Sequence, residues 1–357
     1  MNTSTEFSNI REDIKQAILS NQENIPPMRI FFLITRVLRS ITDRKKPYPW
    51  YIGAMVLAVI VPLPTIAVSF VLEETNQWAA LGLIWVGYLE YGLLGAVIAQ
   101  FATKHILSNM RKNVVDKIEN INDLENFRQI ISYSWETPYY RLFVTLFTVF
   151  WATTFSLVNS LFIKEFVGFG LVLGTIIFGL IASGTLYLLL WFIYFTSKLG
   201  AYNYKLNIVS PRESELIFQL SNIFKTTLYY VTGSFFVGTA INSFNDFSVW
   251  LVVVVCWIPT ILLFVKSQSV LGQIITTAKW KTLNQLQKKI KEYHDGDISS
   301  KNNIENINRL MDYHERIQTT RNSTFDLKTG LGFLNQLALP LLGFLLANIE
   351  VVLSFFK

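Results

Sequence analysis

Glu90 stands about eleven residues into the apolar stretch Ala79 to Thr103, AALGLIWVGYLEYGLLGAVIAQFAT, and a carboxylate so placed has two chemical uses. Ionised, it offers charge and oxygen to a cation; protonated, it can pass a proton on. Twenty or so apolar residues at 1.5 Å each cover the roughly 30 Å hydrocarbon core of a bilayer. A carboxylate near the middle costs about 3 kcal/mol even on mild insertion scales, so it needs compensating partners. The stretch Ile52 to Leu72 supplies candidates, because Pro62 and Pro64 lie about eleven residues into it. Each proline removes a helical donor and clashes with the carbonyl four residues back, which frees the oxygens of Ala58 and Ile60. Glu90, Pro62 and Pro64 together are the predicted ion or proton site.

Two stripes of small and polar side chains are the candidate path to it. Thr145, Thr148, Ser156 and Asn159, with Ala152, share one side of the stretch 139–162. Tyr230, Ser234 and Asn242, with Thr226 and Gly238, recur every fourth residue along 226–242. Small and hydroxyl residues also let membrane helices pack closely, so the same stripes have a purely structural reading. Glu90 has one too, as a protonated carboxyl bonded to a neighbouring hydroxyl or freed carbonyl.

Other chemistry is excluded by residue type and spacing. His105, His294 and His314 all fall at the edges of the apolar runs or between them, so neither a serine–histidine pair nor a histidine metal site can be built inside the membrane. Ser183 before Gly184 resembles a nucleophile turn but has no base within reach. No GxxxxGK[ST] phosphate loop occurs. In YHDGDISSKNN, counting Asp295 as the first calcium ligand puts Ser300 where glycine is required and Asn306 where a bidentate glutamate is required. Cys256 is the sole cysteine, which rules out an intrachain disulfide and a cysteine cluster. The expectation is a non-enzyme with no cofactor and no resident metal.

The elements that position these residues follow from composition. Of 357 residues, 51% are hydrophobic and 16% charged, against about 25% charged in a soluble domain. The net charge of +6 resides in segments between apolar runs, where the positive-inside rule accounts for it without nucleic acid. The predicted fold is all-α: a polytopic helical membrane protein with about seven transmembrane helices, an amphipathic N-terminal interfacial helix and a cytosolic helical hairpin. Residues 1–49 are read as a cytosolic tail or a loose helix, ended by Pro26 and Pro27, followed by the interfacial helix. Its arginines Arg29, Arg36 and Arg39 would sit among anionic lipid head groups. Residues 50–266 form a six-span domain with cytosolic links 104–138, a helical hairpin, and 197–225. In the second link Ser210, Pro211, Arg212 and Glu213 predict a capped helix start.

Residues 267–328 form an antiparallel hairpin. Its seam is Trp280, Leu283, Leu286, Ile290 and Tyr293 against Ile304, Ile307, Met311, His314 and Ile317, with Asn302 and Glu305 capping the return. Residues 329–357 are a last membrane helix interrupted by Pro340. Basic inner loops place the N-terminus in the cytosol of a plasma or inner membrane. The function expected is a channel or secondary transporter for a cation, proton or small solute. The alternative is a non-transporting anchor or sensor subunit whose hairpin binds a cytosolic protein. A second copy of the chain is the other partner considered.

Overall fold

The computed structural model describes residues 3–23, 25–43, 45–46, 48–60, 75–132, 138–158, 165–241, 246–295, 301–322, 330–335, 338 and 342. Among them the chain is helical and has no strand; its only bridge is the isolated antiparallel pairing of Ile118 with Tyr204. In chain order the helices are α1 (Thr3–Glu23), α2 (Arg29–Thr42), α3 (Trp50–Ile60), α4 (Thr75–Asn113), α5 (Ile121–Ser132), α6 (Pro138–Val158), α7 (Glu165–Leu199), α8 (Glu215–Ile241), α9 (Asp246–His294) and α10 (Lys301–Thr319). Pro26–Met28 and Pro211–Glu213 are single 3-10 turns.

The N-terminal segment takes the helical alternative of the sequence reading, but α1 is packed into the core and not loose. Its Ile10, Ile14 and Ile18 recur every fourth residue, and the last two are fully buried. They share one core with Ile106, Leu107 and Met110 of α4, Leu124, Phe127 and Ile131 of α5, Phe195 of α7, Leu216 and Leu220 of α8, and Leu271 and Ile274 of α9. Residues 104–132 and 197–225 are therefore walls of one helical body. The predicted hairpin in 104–138 does not form: α4 ends at Asn113, and α5 packs on α1 instead of returning along α4. The polar surface of α1 concealed this outcome, since three isoleucines on one face suffice once a partner covers them.

The seam between the two links is made by backbone and tyrosine. Lys205 N donates to Lys117 O at 2.8 Å and Glu119 N to Asn203 O at 2.9 Å. Asp123 accepts from Asn203 N at 2.8 Å, and Tyr202 donates to Asn126 Oδ1 at 2.9 Å. Tyr204 donates to Leu199 O at 3.0 Å from a buried position. Burial pushes its phenol well above 10.0, with Tyr202 and Asp123 adding to the shift. Ion pairs tie the same elements at the rim: Lys15 with Asp116 at 3.0 Å, Arg128 with Asp13 at 3.3 Å, and Lys281 with Glu119 at 3.2 Å. Such exposed pairs contribute about 0–1 kcal/mol each, so they select register more than they stabilise.

The other end of the bundle presents apolar surface outward. On α6, Leu142, Leu146, Val149 and Phe150 are each about 60% exposed, and α7 is the principal neighbour of this helix. Ile258, Leu262 and Val265 form a similar exposed ridge on α9. Apolar ridges of this length are unusual on a protein surrounded by water. Among the described residues, Gly179–Leu199 and Trp257–His294 are long and apolar enough to cross a membrane. They coincide with parts of the expected fourth and sixth crossings. The five other expected crossings include side chains outside the described residues.

The hairpin of α9 and α10 forms with a shifted seam. Leu283, Leu286 and Ile317 are buried, joined by Leu310 and Tyr313. Trp280, Ile304 and Met311, predicted in the seam, are about half exposed. One predicted helix start is also corrected. Ser210 makes no side-chain cap, and Pro211–Glu213 is a separate 3-10 turn before α8. Ser214 Oγ instead accepts from Asn207 N at 2.8 Å, which closes the preceding loop. Glu305 pairs forward with Arg309 at 2.6 Å, an i,i+4 contact, and the side chain of Asn302, its predicted capping partner, lies outside the described residues.

Candidate functional site

Hydroxyls are numerous in the bundle, and helical geometry decides how many are available. Thr103, Thr185, Thr227, Thr232 and Ser267 each donate to the carbonyl four residues earlier, at 2.7 to 3.0 Å. A hydroxyl so bonded satisfies its own donor inside an apolar helix. Buried hydroxyls here are thus largely self-contained.

Thr148 is the member of the first predicted stripe whose surroundings are clearest. It is buried, and its Oγ1 lies 3.4 Å from Ser183 Oγ on α7. Ser183 Oγ donates to Leu180 O at 3.0 Å, which leaves Thr148 as the donor between the two. A Cβ added at Gly179 would stand 3.2 Å from Thr148 Cγ2. Gly179 and Ser183, four residues apart, therefore make the notch into which Thr148 fits, a small-residue helix contact. Thr145, one turn earlier, is exposed on the outer side of α6. Ser156 lies within α6 with its side chain outside the described residues, as does Asn159 altogether.

On the second stripe, Tyr230 is half-buried, with its ring 6.4 Å from that of His105. His105 follows Lys104 on α4, so Tyr230 sits beside the charged end of the apolar stretch of that helix and not deep along it. Asn109 Nδ2 lies 3.0 Å from His105 Nε2 and also donates to His105 O at 3.0 Å. Ser234 is in α8 with its side chain outside the described residues, and Asn242 lies outside them. The two stripes are not brought face to face among the described residues: α6 packs on α7, whereas α8 packs on α4 and α9.

Glu90 lies within α4, whose backbone is helical without a break from Thr75 to Asn113. Its side chain is outside the described residues, as are Pro62 and Pro64. Fourteen residues separate it from Lys104 and fifteen from Thr75, or about 21 Å and 22 Å along the axis at 1.5 Å per residue. Among the described residues no three His, Cys, Asp or Glu side chains gather as a metal site.

One polar constellation has no counterpart in the sequence reading. Lys279 of α9 is 6% exposed, and its Nζ donates to Gln318 O at 2.7 Å, Thr320 O at 2.8 Å and Asn322 Oδ1 at 2.9 Å. The ammonium thereby occupies the C-terminal end of α10, where unsatisfied carbonyls carry partial negative charge. Its one signal in the sequence is a lysine four residues before Leu283 on the apolar side of α9, where an unpaired charge would be costly. Comparison of the chain with family models, curated proteins and solved structures finds no match.

Proposed function

We propose that this is a multi-span membrane protein with about seven crossings and a cytosolic N-terminus, and that its bundle moves a cation, proton or small solute past Glu90. The observation that carries this reading is the unbroken α4. A continuous helix about 58 Å long, at 1.5 Å for each of its 39 residues, puts Glu90 some 20 Å from either charged or polar flank. If α4 spans the bilayer, the carboxylate is near the midplane. The outward apolar ridges of α6 and α9 support the membrane setting. Convergence of α1, α5 and the inner ends of α4, α7, α8 and α9 in one core supports placing all the basic links on one side. The freed carbonyls expected at Ala58 and Ile60 would complete a cation's oxygen shell.

The test is flux. The purified protein in liposomes should pass a cation or protons, and Glu90→Gln, which keeps shape and removes charge, should abolish the flux or change its selectivity and pH dependence. Unaltered flux and pH response in that variant would refute the assignment of Glu90.

A second reading is favoured by the contact of Thr148 with Ser183 and Gly179, which uses the first stripe for packing. On it the bundle is an anchor or sensor, and the hairpin of α9 and α10 holds a cytosolic partner. Intact liposomes with no flux from the parent protein would select this reading.

A further inference from the structure

The sequence predicts that α2 lies on the membrane surface, and the structure defines which of its residues could meet lipid. Phe31 and Thr35 are buried against the protein. Leu33, Val37 and Ile41, spaced by four, form the opposite ridge and are 57%, 53% and 75% exposed. Arg29 is turned elsewhere, its guanidinium 5.0 Å from the centre of the Tyr140 ring. Among the described residues, Arg36 is exposed on the flank of the ridge, Arg39 is exposed on the far side of α2 near Thr35, and Lys45 and Lys46 are exposed beyond the end of the helix. Arg39 Nη2 donates to Lys45 O at 2.9 Å, which folds the turn that follows back onto the helix. Tyr48 OH, 3.1 Å from Thr42 Oγ1, closes the same turn. The left-handed Asp43, at φ 48°, makes the reversal and is the one acidic residue there.

The depth of α2 is set by its neighbour. A Cβ at Gly53 would overlap the Phe31 carbonyl, so α2 is clamped against the first turn of α3. Trp50 lies 6.5 Å from Phe31, and Tyr51 is half exposed. Trp and Tyr at the start of an apolar helix mark the head-group level. An apolar ridge flanked by Arg36 and followed by Lys45 and Lys46, held at that level, matches an interfacial helix on an anionic leaflet.

We propose that α2, with Lys45 and Lys46 beyond its end, forms a binding surface for anionic phospholipid. Leu33, Val37 and Ile41 enter the acyl boundary, while Arg36, Lys45 and Lys46 meet the phosphates. The proposal rests on the membrane reading above but not on transport. It goes beyond that reading in naming a lipid class and the residues that select it.

The experiment uses the full chain with Cys256→Ala and a single environment-sensitive fluorophore, on Val37→Cys or, as reference, on Leu146→Cys of α6. Each is reconstituted in vesicles of phosphatidylcholine alone and of phosphatidylcholine with phosphatidylglycerol. The Val37 probe should be shielded from an aqueous quencher in the anionic vesicles and less so in the neutral ones. Shielding should fall in high salt, which screens exposed charges. Each of Arg36→Gln, Lys45→Gln and Lys46→Gln should weaken the anionic preference about fivefold, from about 1 kcal/mol per cation at the surface. Equal quenching of the Val37 probe in both vesicles, or shielding indifferent to salt, overturns the proposal whether or not the variants fold. An aqueous Leu146 probe would instead overturn the membrane reading itself.

Discussion

Replacing Lys279 with methionine keeps an unbranched apolar stem and removes only the ammonium. In the native chain that group makes three bonds of 2.7 to 2.9 Å to the end of α10. Hydrogen bonds from a charged donor are worth about 1.5–3 kcal/mol each. Two opposing effects reduce their sum. The ammonium is desolvated in the native state, and Gln318 and Asn322 are exposed, so water can replace part of what the variant loses. A net loss of about 3 kcal/mol remains, which raises the opening equilibrium of α10 roughly 150-fold. Hydrogen–deuterium exchange on the full chain in detergent reads this directly. Amides of residues 310–319 should exchange faster by that order in Lys279→Met, while those of Ile106 to Met110, in the main core, stay protected. Lys279→Arg should recover only part of the protection, because a planar fork does not fit a cage built around a point charge. Leu286→Asp, at a buried seam position, should open the hairpin through an unpaired buried charge, at a few kcal/mol. Unchanged exchange of 310–319 in Lys279→Met would refute the claim that this lysine holds the return helix.

Three further outcomes are expected. Tyr204 has a phenol raised above 10.0 by burial, so the folded state keeps its proton at a pH where the unfolded state has lost it. Its stabilising contribution is complete below about pH 10 and is lost as pH rises toward the folded value. Tyr204→Phe should therefore make alkaline unfolding less steep, at a cost near neutrality of about 1 kcal/mol for the bond to Leu199 O; a parent and variant with identical alkaline melting curves would contradict this. Gly53→Ala should lower the melting temperature by forcing α2 off α3, the overlap being with backbone and costing about 1–3 kcal/mol; a wild-type melting temperature would show that the two helices do not approach so closely. Asp295→Cys, on a Cys256→Ala background, should resist an impermeant thiol reagent applied outside intact cells, and labelling there would reverse the proposed topology.

Much of the fold was legible because its signals are periodic and local. Runs of apolar residues marked α4, α6, α7, α8 and α9, since covering a backbone in hydrocarbon requires a helix. Asp295 after His294 marked the end of α9, and α10 returns along it as its spacing implied. What stayed illegible depends on which surfaces meet. Ile10, Ile14 and Ile18 read as a weak face in a polar helix, and only α4 and α5 lying across them turn that face into core. The hairpin seam moved from Met311 to Leu310 and Tyr313, because a shift of one residue turns a helix by 100° and spacing alone does not fix the facing direction.

The candidate site divides in the same way. Sequence alone determined that a carboxylate lies within an apolar stretch and that Pro62 and Pro64 stand in the apolar stretch before it. Tertiary structure decided that Thr148 is an interhelical contact with Ser183 and Gly179, that Thr145 is exposed, and that Tyr230 stands beside His105 near the charged end of the apolar stretch of α4. It also brought Lys279 to the end of a helix some forty residues onward. The physical reason is that a side chain's type states which bonds it can make, whereas the packing of helices decides which partner arrives to make them.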